Sequence, residues 1–287
     1  FQMNMSRHAA ALFLSPLLLL AGCAKSEPDP TLSITTWTTG WGAEDDATFA
    51  TYNRGFTNRG DWRRDNINLL IAQVQDTVQT VRPEAAHGVS PFGIWKPGIP
   101  RGTTADINAY EHLAADSRKW LASGWCDYLS PQLYWRIQGP QSYTLLLNWW
   151  RSQGRRPVWP GLGTSRIKSS EDPGRPASEI INQVQLSRTI GKNYVGHVHW
   201  SVKALMQNRG GVTNALAKSI YTHPALVPPM PWSSKSEPPV PSVSAKRAKG
   251  GTQVRWSRVP TASKYVVQAR YGSRWDTLAV THGGCLD

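Results

Sequence analysis

Cysteine is scarce in this chain of 287 residues, which contains only Cys23, Cys126 and Cys285. These residues form no Cys-x-x-Cys pair and no Cys/His spacing of the kind that binds zinc. The sequence therefore predicts no disulfide framework and no cysteine-based metal site, and we expect no cofactor. Cys126 falls in a predicted strand, where it fits as a small buried side chain.

Acidic residues are also few: 19 aspartates and glutamates accompany 32 lysines and arginines, and the formal net charge is +13. This balance indicates anionic surroundings, which could be nucleic acid, anionic lipid or an acidic cell-wall polymer. The basic residues are scattered, with only a short run at Lys246-Arg247 and Lys249. The pattern favours a generally basic solvated surface over a dedicated polyanion groove, and we expect no nucleic-acid partner.

The chain has little long apolar sequence apart from Ala9–Leu20, which is too short to span a bilayer as a stable helix. The run ends in Leu20-Ala21-Gly22-Cys23, the order of a bacterial lipobox. Residues 1–23 are therefore predicted to be a lipoprotein signal peptide, with an ordinary signal peptide or a buried helix as the alternative. Lipidation of Cys23 would anchor the chain in the bacterial cell envelope, on the periplasmic or outer-membrane face. Residues 24–44 would then be a tether and irregular segment.

Residues 45–223 alternate between extended and helical patterns. The predicted strands are Ala85–Phe92, Gly124–Trp135, Pro157–Leu162 and Val195–Ser201. Apolar periodicity predicts helices at 61–81, 106–123, 143–152, 177–189 and 211–220, the first of them capped by Asp61. Strands separated by helices form parallel sheets with right-handed crossovers. The expected fold class is thus α/β, a partial (β/α)8 TIM barrel, because four strands are half of such a barrel.

The strand Gly124–Trp135 alternates strictly in its middle. Tyr128, Ser130, Gln132 and Tyr134 share one face, opposite an apolar face that would meet the surrounding helices. The polar face would look into the barrel mouth, and the strand ends in an aromatic pair of the kind that stacks on sugar rings.

The chain changes character after His223. Residues 224–241 are a predicted proline-rich linker, and residues 242–287 are a predicted antiparallel β module. Its predicted strands are Thr252–Trp256, Lys264–Arg270 and Trp275–Val280. The module looks like the start of a fibronectin type III sandwich, incomplete because only about half of the required strands are present.

Five motifs in order carry a resemblance to a known family. They are Asp61-Trp62-Arg63-Arg64-Asp65-Asn66, Gly88-Val89-Ser90-Pro91-Phe92-Gly93-Ile94-Trp95, Asp127-Tyr128-Leu129-Ser130-Pro131-Gln132-Leu133-Tyr134-Trp135, Trp159-Pro160-Gly161-Leu162 and Gly196-His197-Val198-His199-Trp200-Ser201. Together they resemble the glycosyl hydrolase-like family 10 proteins over roughly residues 45–226. The resemblance implies a TIM-barrel envelope protein, often a lipoprotein, and an O-glycosyl hydrolase acting on peptidoglycan glycan strands.

The chain also departs from this family. In the family, four strands precede the Asp61–Asn66 motif, and the fourth ends in an acidic, aromatic motif. Here the signal peptide runs almost directly into the second half, and Leu32–Gly42 does not look like that fourth strand. We expect an internal deletion or a frameshift, and a half-barrel that is poorly stable because its sheet edges are open.

The ends of the predicted strands supply candidate glycan-binding residues. Trp95, Tyr134 and Trp135 could stack on sugars or form a hydrophobic lid over the barrel mouth. Gln132 could bind sugar hydroxyls or be a satisfied barrel polar group. The remaining candidates are Arg166 and Lys203, for an anionic substituent or as plain surface cations, and His199 at the end of the fourth strand.

No pair of catalytic carboxyl groups can be assigned, although glycoside hydrolysis normally requires two. Asp127 begins its strand and therefore belongs to the stability face, while Asp61 and Asp65 are explained by capping at a helix start. His197 and His199 share a strand face but lack further ligands for a metal. The expected function is glycan hydrolysis in the cell wall, inactive in this incomplete chain. The alternative is a non-catalytic carbohydrate-binding or scaffolding envelope lipoprotein.

Overall fold

A computed structural model describes residues 2–4, 11–12, 44–190, 196–226, 228, 230–232, 238–260, 262, 264–282 and 285–286. The predicted lipidation site Cys23, most of the predicted signal peptide and almost all of the predicted tether lie outside these ranges. Within them, the chain is a mixed α/β protein with small sheets. None of the described helices is long and apolar enough to cross a membrane.

The helices of the described residues are α1 (Asp46–Tyr52), α2 (Arg59–Val81), α3 (Ala109–His112), α4 (Ser117–Ala122), α5 (Tyr143–Ser152), α6 (Ala177–Ile190), α7 (Val202–Met206) and α8 (Val212–Ser219). Short 3-10 turns lie at Thr164–Arg166 and Arg209–Gly211. The predicted helices at 61–81, 143–152, 177–189 and 211–220 are confirmed. Helices α1 and α7 were not predicted.

The described strands are β1 (Gln2–Asn4), β2 (Ala11–Leu12), β3 (Ala86–Val89), β4 (Tyr128–Leu129), β5 (Gln132–Leu133), β6 (Gly161–Leu162), β7 (Val198–His199), β8 (Val243–Ala248), β9 (Gly251–Trp256), β10 (Tyr265–Tyr271), β11 (Arg274–Thr281) and β12 (Cys285–Leu286). β1 pairs with β10, β2 with β3, and β12 with β9.

Strands β3 to β7 are parallel and form one continuous layer. β3 pairs with β4, β5 pairs with β6, and β6 pairs with β7. Isolated parallel bridges, Phe92 with Gln132 and Leu129 with Val158, join the two groups. The parallel arrangement predicted from the alternation of strands and helices is therefore confirmed for these strands.

The predicted strand Gly124–Trp135 is two short strands in the structure, β4 and β5. Pro131 separates them because it has no N–H to donate to a ladder. Its carbonyl oxygen still accepts a hydrogen bond from the Gly161 N–H at 2.8 Å. The backbone therefore keeps its direction through the break, and the residues on each side keep the predicted alternation.

The main core lies on one face of the parallel layer, between the strands and helices α5, α6 and α8. Leucines 129, 133 and 162 from the strands are fully buried there. They pack in one cluster with the helical side chains Tyr143, Leu146, Leu147, Trp150, Ile180, Val184 and Leu216. This face is called the helix face below, and the other is called the inner face.

Helix α2 is held by polar side chains rather than by its apolar stripe alone. Its buried residues include Arg64, Asn68 and Gln75. The Asn68 carboxamide oxygen accepts a hydrogen bond from the Trp120 indole at 2.7 Å. The Gln75 carboxamide donates to Asp127 at 3.1 Å. Buried polar groups of this kind are tolerated because each has a partner.

The prediction of one helix over Asp106–Ser123 was wrong. The segment forms α3 and α4, and Ala114 between them has a φ of 50° in the left-handed region. Asp116 begins the second helix because its carboxylate accepts a hydrogen bond from the Lys119 N–H at 3.3 Å. The helix break follows from this local capping, which competes with the apolar periodicity.

Residues 242–282, called the β-module below, contain two antiparallel hairpins, β8–β9 and β10–β11. Val254, Trp256, Tyr265 and Val267 form a small core between them. The three strands predicted in this region are confirmed, and β8 is an additional strand. A short core of four side chains indicates a small β unit with its own packing.

Candidate functional site

The candidate site lies where β3 and β5 to β7 end, a region called the carboxyl edge below. Ligands of parallel α/β proteins bind at this end because the strand-to-helix loops converge there. The strand register places Gln132, Gly161 and Val198 side by side, and Leu133, Leu162 and His199 one residue further on. Neighbouring residues in the register point to the same side, so Gln132 lies on the inner face.

Tyr134 and Trp200 form a stacked aromatic pair at this edge. Their ring centroids are 6.4 Å apart and their planes differ by 23°. Trp200 is 58% exposed, whereas Tyr134 is half-buried, and burial raises the pKa of its hydroxyl to about 12. The Tyr134 hydroxyl therefore stays protonated at physiological pH and can donate a hydrogen bond.

Glycines of the middle strand allow this pair to form. Tyr134 and Trp200 extend from β5 and β7, which are separated by β6. A Cβ atom at Gly161 would lie 3.1 Å from the Tyr134 ring, and one at Gly163 would lie 3.0 Å from the Tyr134 carbonyl oxygen. Because both positions lack a side chain, two aromatic residues from non-adjacent strands reach each other across the middle one.

Gln132 is half-buried beside this pair. Its carboxamide nitrogen donates to the Ser90 carbonyl oxygen at 3.3 Å. No other hydrogen bond of its side chain occurs among the described residues. The carboxamide oxygen can accept a hydrogen bond from a sugar hydroxyl, which fits the role predicted for this residue.

Arginines hold the backbone at the end of β5. Arg166 and Arg175 both donate to the Tyr134 carbonyl oxygen, at 3.0 and 2.8 Å. Arg175 is buried and also binds Asp172 at 2.6 Å, and Arg136 binds the same carboxylate. Arg166 lies 3.5 Å from Glu171. Arg166 therefore reaches the edge and positions Tyr134, and its role in binding an anionic substituent stays a prediction.

Trp95 and Trp135 are engaged in packing. The Trp95 indole donates to Asp116 at 3.2 Å and stacks on Trp149 at a centroid distance of 6.2 Å. Trp135 and Phe92 form a T-shaped pair with ring centroids 6.0 Å apart. Both are half-buried against the main core, an arrangement that matches the lid alternative more closely than an open stacking platform.

His199 lies on the helix face, opposite Gln132. Its Nδ1 is 2.8 Å from the Thr164 hydroxyl, and its Nε2 is 2.8 Å from the Tyr221 hydroxyl. The Nε2 of His197 is 2.5 Å from the same tyrosine oxygen. Burial lowers the pKa of His199 to about 4 and that of His197 to about 3. Both rings are therefore neutral at pH 7, and each shares a hydrogen bond with the Tyr221 hydroxyl.

Lys203 is exposed on α7 and makes no ion pair with the described residues.

The acids near the carboxyl edge already have structural partners: Asp116 caps α4, and Asp172 binds two arginines. The arginine contacts hold the pKa of Asp172 below its ordinary value. It stays ionised at neutral pH and cannot serve as a general acid there. No group of three or more metal-binding side chains occurs in the described part of the chain.

Asp127 lies at the opposite end of the parallel layer and is 1% exposed. Its carboxylate accepts hydrogen bonds from the His87 backbone N–H at 2.8 Å and from the Trp232 indole at 2.6 Å. The Arg156 guanidinium lies 4.0 Å from the centre of the Trp232 ring. Asp127 therefore fastens the residues after α8 to the amino-terminal end of the layer, as expected for a stability residue.

Trp200 was not predicted from the sequence as a site residue. A signal was present, because it lies near the end of the predicted strand Val195–Ser201, next to His199. The glycines at 161 and 163 were a second signal, since small residues on a middle strand leave room above it. Neither signal identifies Trp200 as a site residue until the order of the strands is known.

Fold and site together define an α/β protein that presents aromatic and amide side chains at the carboxyl ends of parallel strands. Residues 34–170 match the family described as Glycosyl hydrolase-like 10. The family predicted from the five motifs is thus confirmed.

Two curated relatives are named as glycosyl hydrolases. The chain is similar to glycosyl hydrolase YngK of Bacillus subtilis strain 168, with 32% identity over 254 residues, 83% of this chain and 50% of that protein. It is also similar to glycosyl hydrolase DigH of Escherichia coli K12, with 37% identity over 110 residues, 37% of this chain and 25% of that protein. The chain thus spans at most about half the length of these relatives.

Proposed function

We propose that the carboxyl edge binds glycan strands of the bacterial cell wall, as the second half of a glycoside hydrolase-like barrel. The observation that carries this proposal is the stacked pair of Tyr134 and the exposed Trp200, with Gln132 beside it. Aromatic faces contact the apolar faces of sugar rings, and carboxamides bind hydroxyl groups. The relatives named as glycosyl hydrolases support the same class of ligand.

The proposed chain organisation follows the sequence. Residues 1–23 are a lipoprotein signal peptide with lipidation at Cys23, and residues 24–44 are a tether. Residues 45–223 form the half-barrel, 224–241 the linker, and 242–287 an incomplete fibronectin type III-like module. Support for the half-barrel comes from the parallel order of β3 to β7. Replacement of Cys23 by Ala is expected to move the protein from the membrane fraction to the soluble fraction.

Glycan binding is tested by two substitutions and a matched control. Trp200→Ala and Tyr134→Ala are each expected to weaken binding to peptide-free glycan strands by roughly tenfold, because each removes one face of the platform. Trp125→Ala is the control, since this half-buried tryptophan precedes β4 at the other end of the layer. Binding is measured by calorimetry. Equal loss in all three variants would contradict a site at the carboxyl edge.

Hydrolysis is expected to be absent in this chain because no catalytic pair of carboxyl groups can be assigned to it. Incubation with purified glycan strands should give binding without new reducing ends, measured by mass spectrometry of the products. A chain extended with the half of YngK that lies outside the match should release products if the family chemistry is glycan hydrolysis. Release of products by the present chain would contradict the proposed inactivity.

A second candidate function is a non-catalytic carbohydrate-binding or scaffolding lipoprotein. It is favoured by the engagement of Asp116 and Asp172 in a helix cap and in arginine pairs. The extended chain separates the two candidates. Glycan binding without any product from that chain would favour the scaffold, whereas product release would favour the hydrolase.

A further inference from the structure

The β-module is far more basic than the remainder of the chain. Residues 242–282 contain one acidic residue, Asp276, and its carboxylate pairs with Arg274 at 2.7 Å. The basic residues of the same segment are Lys246, Arg247, Lys249, Arg255, Arg258, Lys264, Arg270 and Arg274. All of them are exposed except Lys264, which is half-buried. Most of this positive charge therefore faces solvent without a neutralising carboxylate.

The directions of the strands place part of this positive charge at one end of the β-module. β9 ends at Trp256 and β10 begins at Tyr265, and the rings of these two residues meet at a centroid distance of 5.7 Å. The turns of the two hairpins, at 249–250 and 272–273, consequently lie at the opposite end. We call this end the distal tip. Its cations are Lys246, Arg247, Lys249, Arg270 and Arg274.

Aromatic side chains alternate with the cations of the distal tip. Tyr271 is 60% exposed and lies opposite Arg274 in the strand register. Trp275 lies opposite Arg270, whose guanidinium is 5.8 Å from the centre of the indole ring. The tip therefore combines fixed positive charge with flat apolar faces, the two features that a charged sugar polymer requires.

We propose that the distal tip binds a polysaccharide that carries carboxylate groups. The cations attract the carboxylates, and Tyr271 and Trp275 contact the sugar rings between them. The exposed large side chains of the tip are basic or aromatic rather than aliphatic, which favours a sugar polymer over a membrane surface. This binding surface is separate from the carboxyl edge and would keep the chain on the polymer independently of that site.

The test uses the full chain and two triple variants with equal loss of charge. The first, Lys246→Ser with Arg247→Ser and Lys249→Ser, removes three cations of the distal tip. The matched control, Arg101→Ser with Arg155→Ser and Lys218→Ser, removes three exposed cations from the other part of the chain. The probes are peptide-free glycan strands, which carry a carboxylate on alternate sugars, and chitin, which shares their backbone but lacks the carboxylates. Anionic phospholipid vesicles are the third probe.

We expect the tip variant to bind the carboxylated glycan roughly tenfold more weakly than the control variant at low salt. Added salt should reduce this difference, and chitin should show none. Equal binding by the two variants, or equal binding of the unaltered chain to chitin, would overturn the proposal. Tighter binding to the vesicles than to the glycan would also overturn it, in favour of a membrane surface. Loss of binding in Trp200→Ala alone concerns the carboxyl edge, so the two proposals fail separately.

Discussion

At the scale of single residues, Asp127 is an acid that is only 1% exposed and lies away from the carboxyl edge. Its buried carboxylate accepts hydrogen bonds from the Gln75 side chain, the His87 backbone and the Trp232 indole. An acid in such a position has a structural explanation and requires no catalytic role. The same three bonds tie α2, β3 and the residues after α8 to one point.

Replacement of Asp127 by Ala is expected to lower the free energy of unfolding by about 2–4 kcal/mol, because it leaves buried donors without an acceptor. Urea titration monitored by circular dichroism measures the change. Asp127→Asn keeps one carbonyl oxygen and should cost less than the alanine variant. The interpretation would be contradicted if the two variants were equally stable.

Gly163 is the residue on which the aromatic pair depends. Its φ is −74°, so the constraint is space rather than backbone conformation. A Cβ atom there would also lie 3.2 Å from the Tyr134 Cβ, in addition to its contact with the carbonyl oxygen. The Tyr134 backbone cannot yield freely because Arg166 and Arg175 hold it.

Gly163→Ala is therefore expected to displace Tyr134 and to weaken glycan binding by roughly threefold to tenfold. Fluorescence of the tryptophans and calorimetry report the change. Gly251→Ala serves as the control, because a Cβ atom at that position meets nothing within 4 Å. Unchanged binding in Gly163→Ala would show that the ring pair does not depend on this glycine.

At the scale of elements, the N-cap of helix α2 lies three residues earlier than the sequence predicted. The N-cap is Asn58, whose side chain accepts a hydrogen bond from the Asp61 N–H at 3.0 Å. Asp61 was predicted to be the cap, but it lies within the first turn and pairs with Arg64. Asn and Asp are similarly good caps, so the sequence alone could not decide between the two positions.

Asn58→Ala is expected to destabilise the protein by about 1 kcal/mol, since the cap hydrogen bond is lost. Thermal unfolding provides the measurement. Asn58→Asp should retain the stability of the unaltered chain because its carboxylate caps equally well and faces the positive end of the helix. If Asn58→Ala were neutral, the cap would not be the start of α2.

Elements with a continuous apolar stripe were predictable, and those decided by polar contacts were not. Helices α5, α6 and α8 coincide with their predictions because their buried side chains recur at helical spacing. The break between α3 and α4 was missed because a capping side chain, Asp116, competes with periodicity. The docking of α2 through Asn68 and Gln75 was missed because partners distant in sequence make those polar residues suitable for burial.

At the scale of the whole molecule, buried neutral histidines link stability to pH. His197 and His199 both place Nε2 within hydrogen-bond distance of the Tyr221 hydroxyl. Burial lowers the pKa of both, and also that of His87. In the unfolded chain a histidine has a pKa of about 6.5.

Because the folded-state pKa values are depressed, stability is complete above about pH 6.5 and declines as the pH falls below it. We expect a loss on the order of 1–3 kcal/mol between pH 7 and pH 5, measured by urea unfolding across that range. The pKa values of Asp45 and Asp172 are lowered by arginines, so their contributions are lost only at more acidic pH. His199→Asn should flatten the pH profile. A flat profile in the unaltered chain would contradict this explanation.

The sequence by itself determined the mixed α/β class, the order of the main helices and strands, and the family. These follow from periodicity and from short motifs, which are local properties of the chain. It also supplied Tyr134 and Gln132 as candidate residues. Tertiary structure alone decided that Tyr134 meets Trp200, that His199 faces the helices, and that Trp232 reaches Asp127. The reason is that each of these contacts depends on strand register and chain return between segments far apart in sequence.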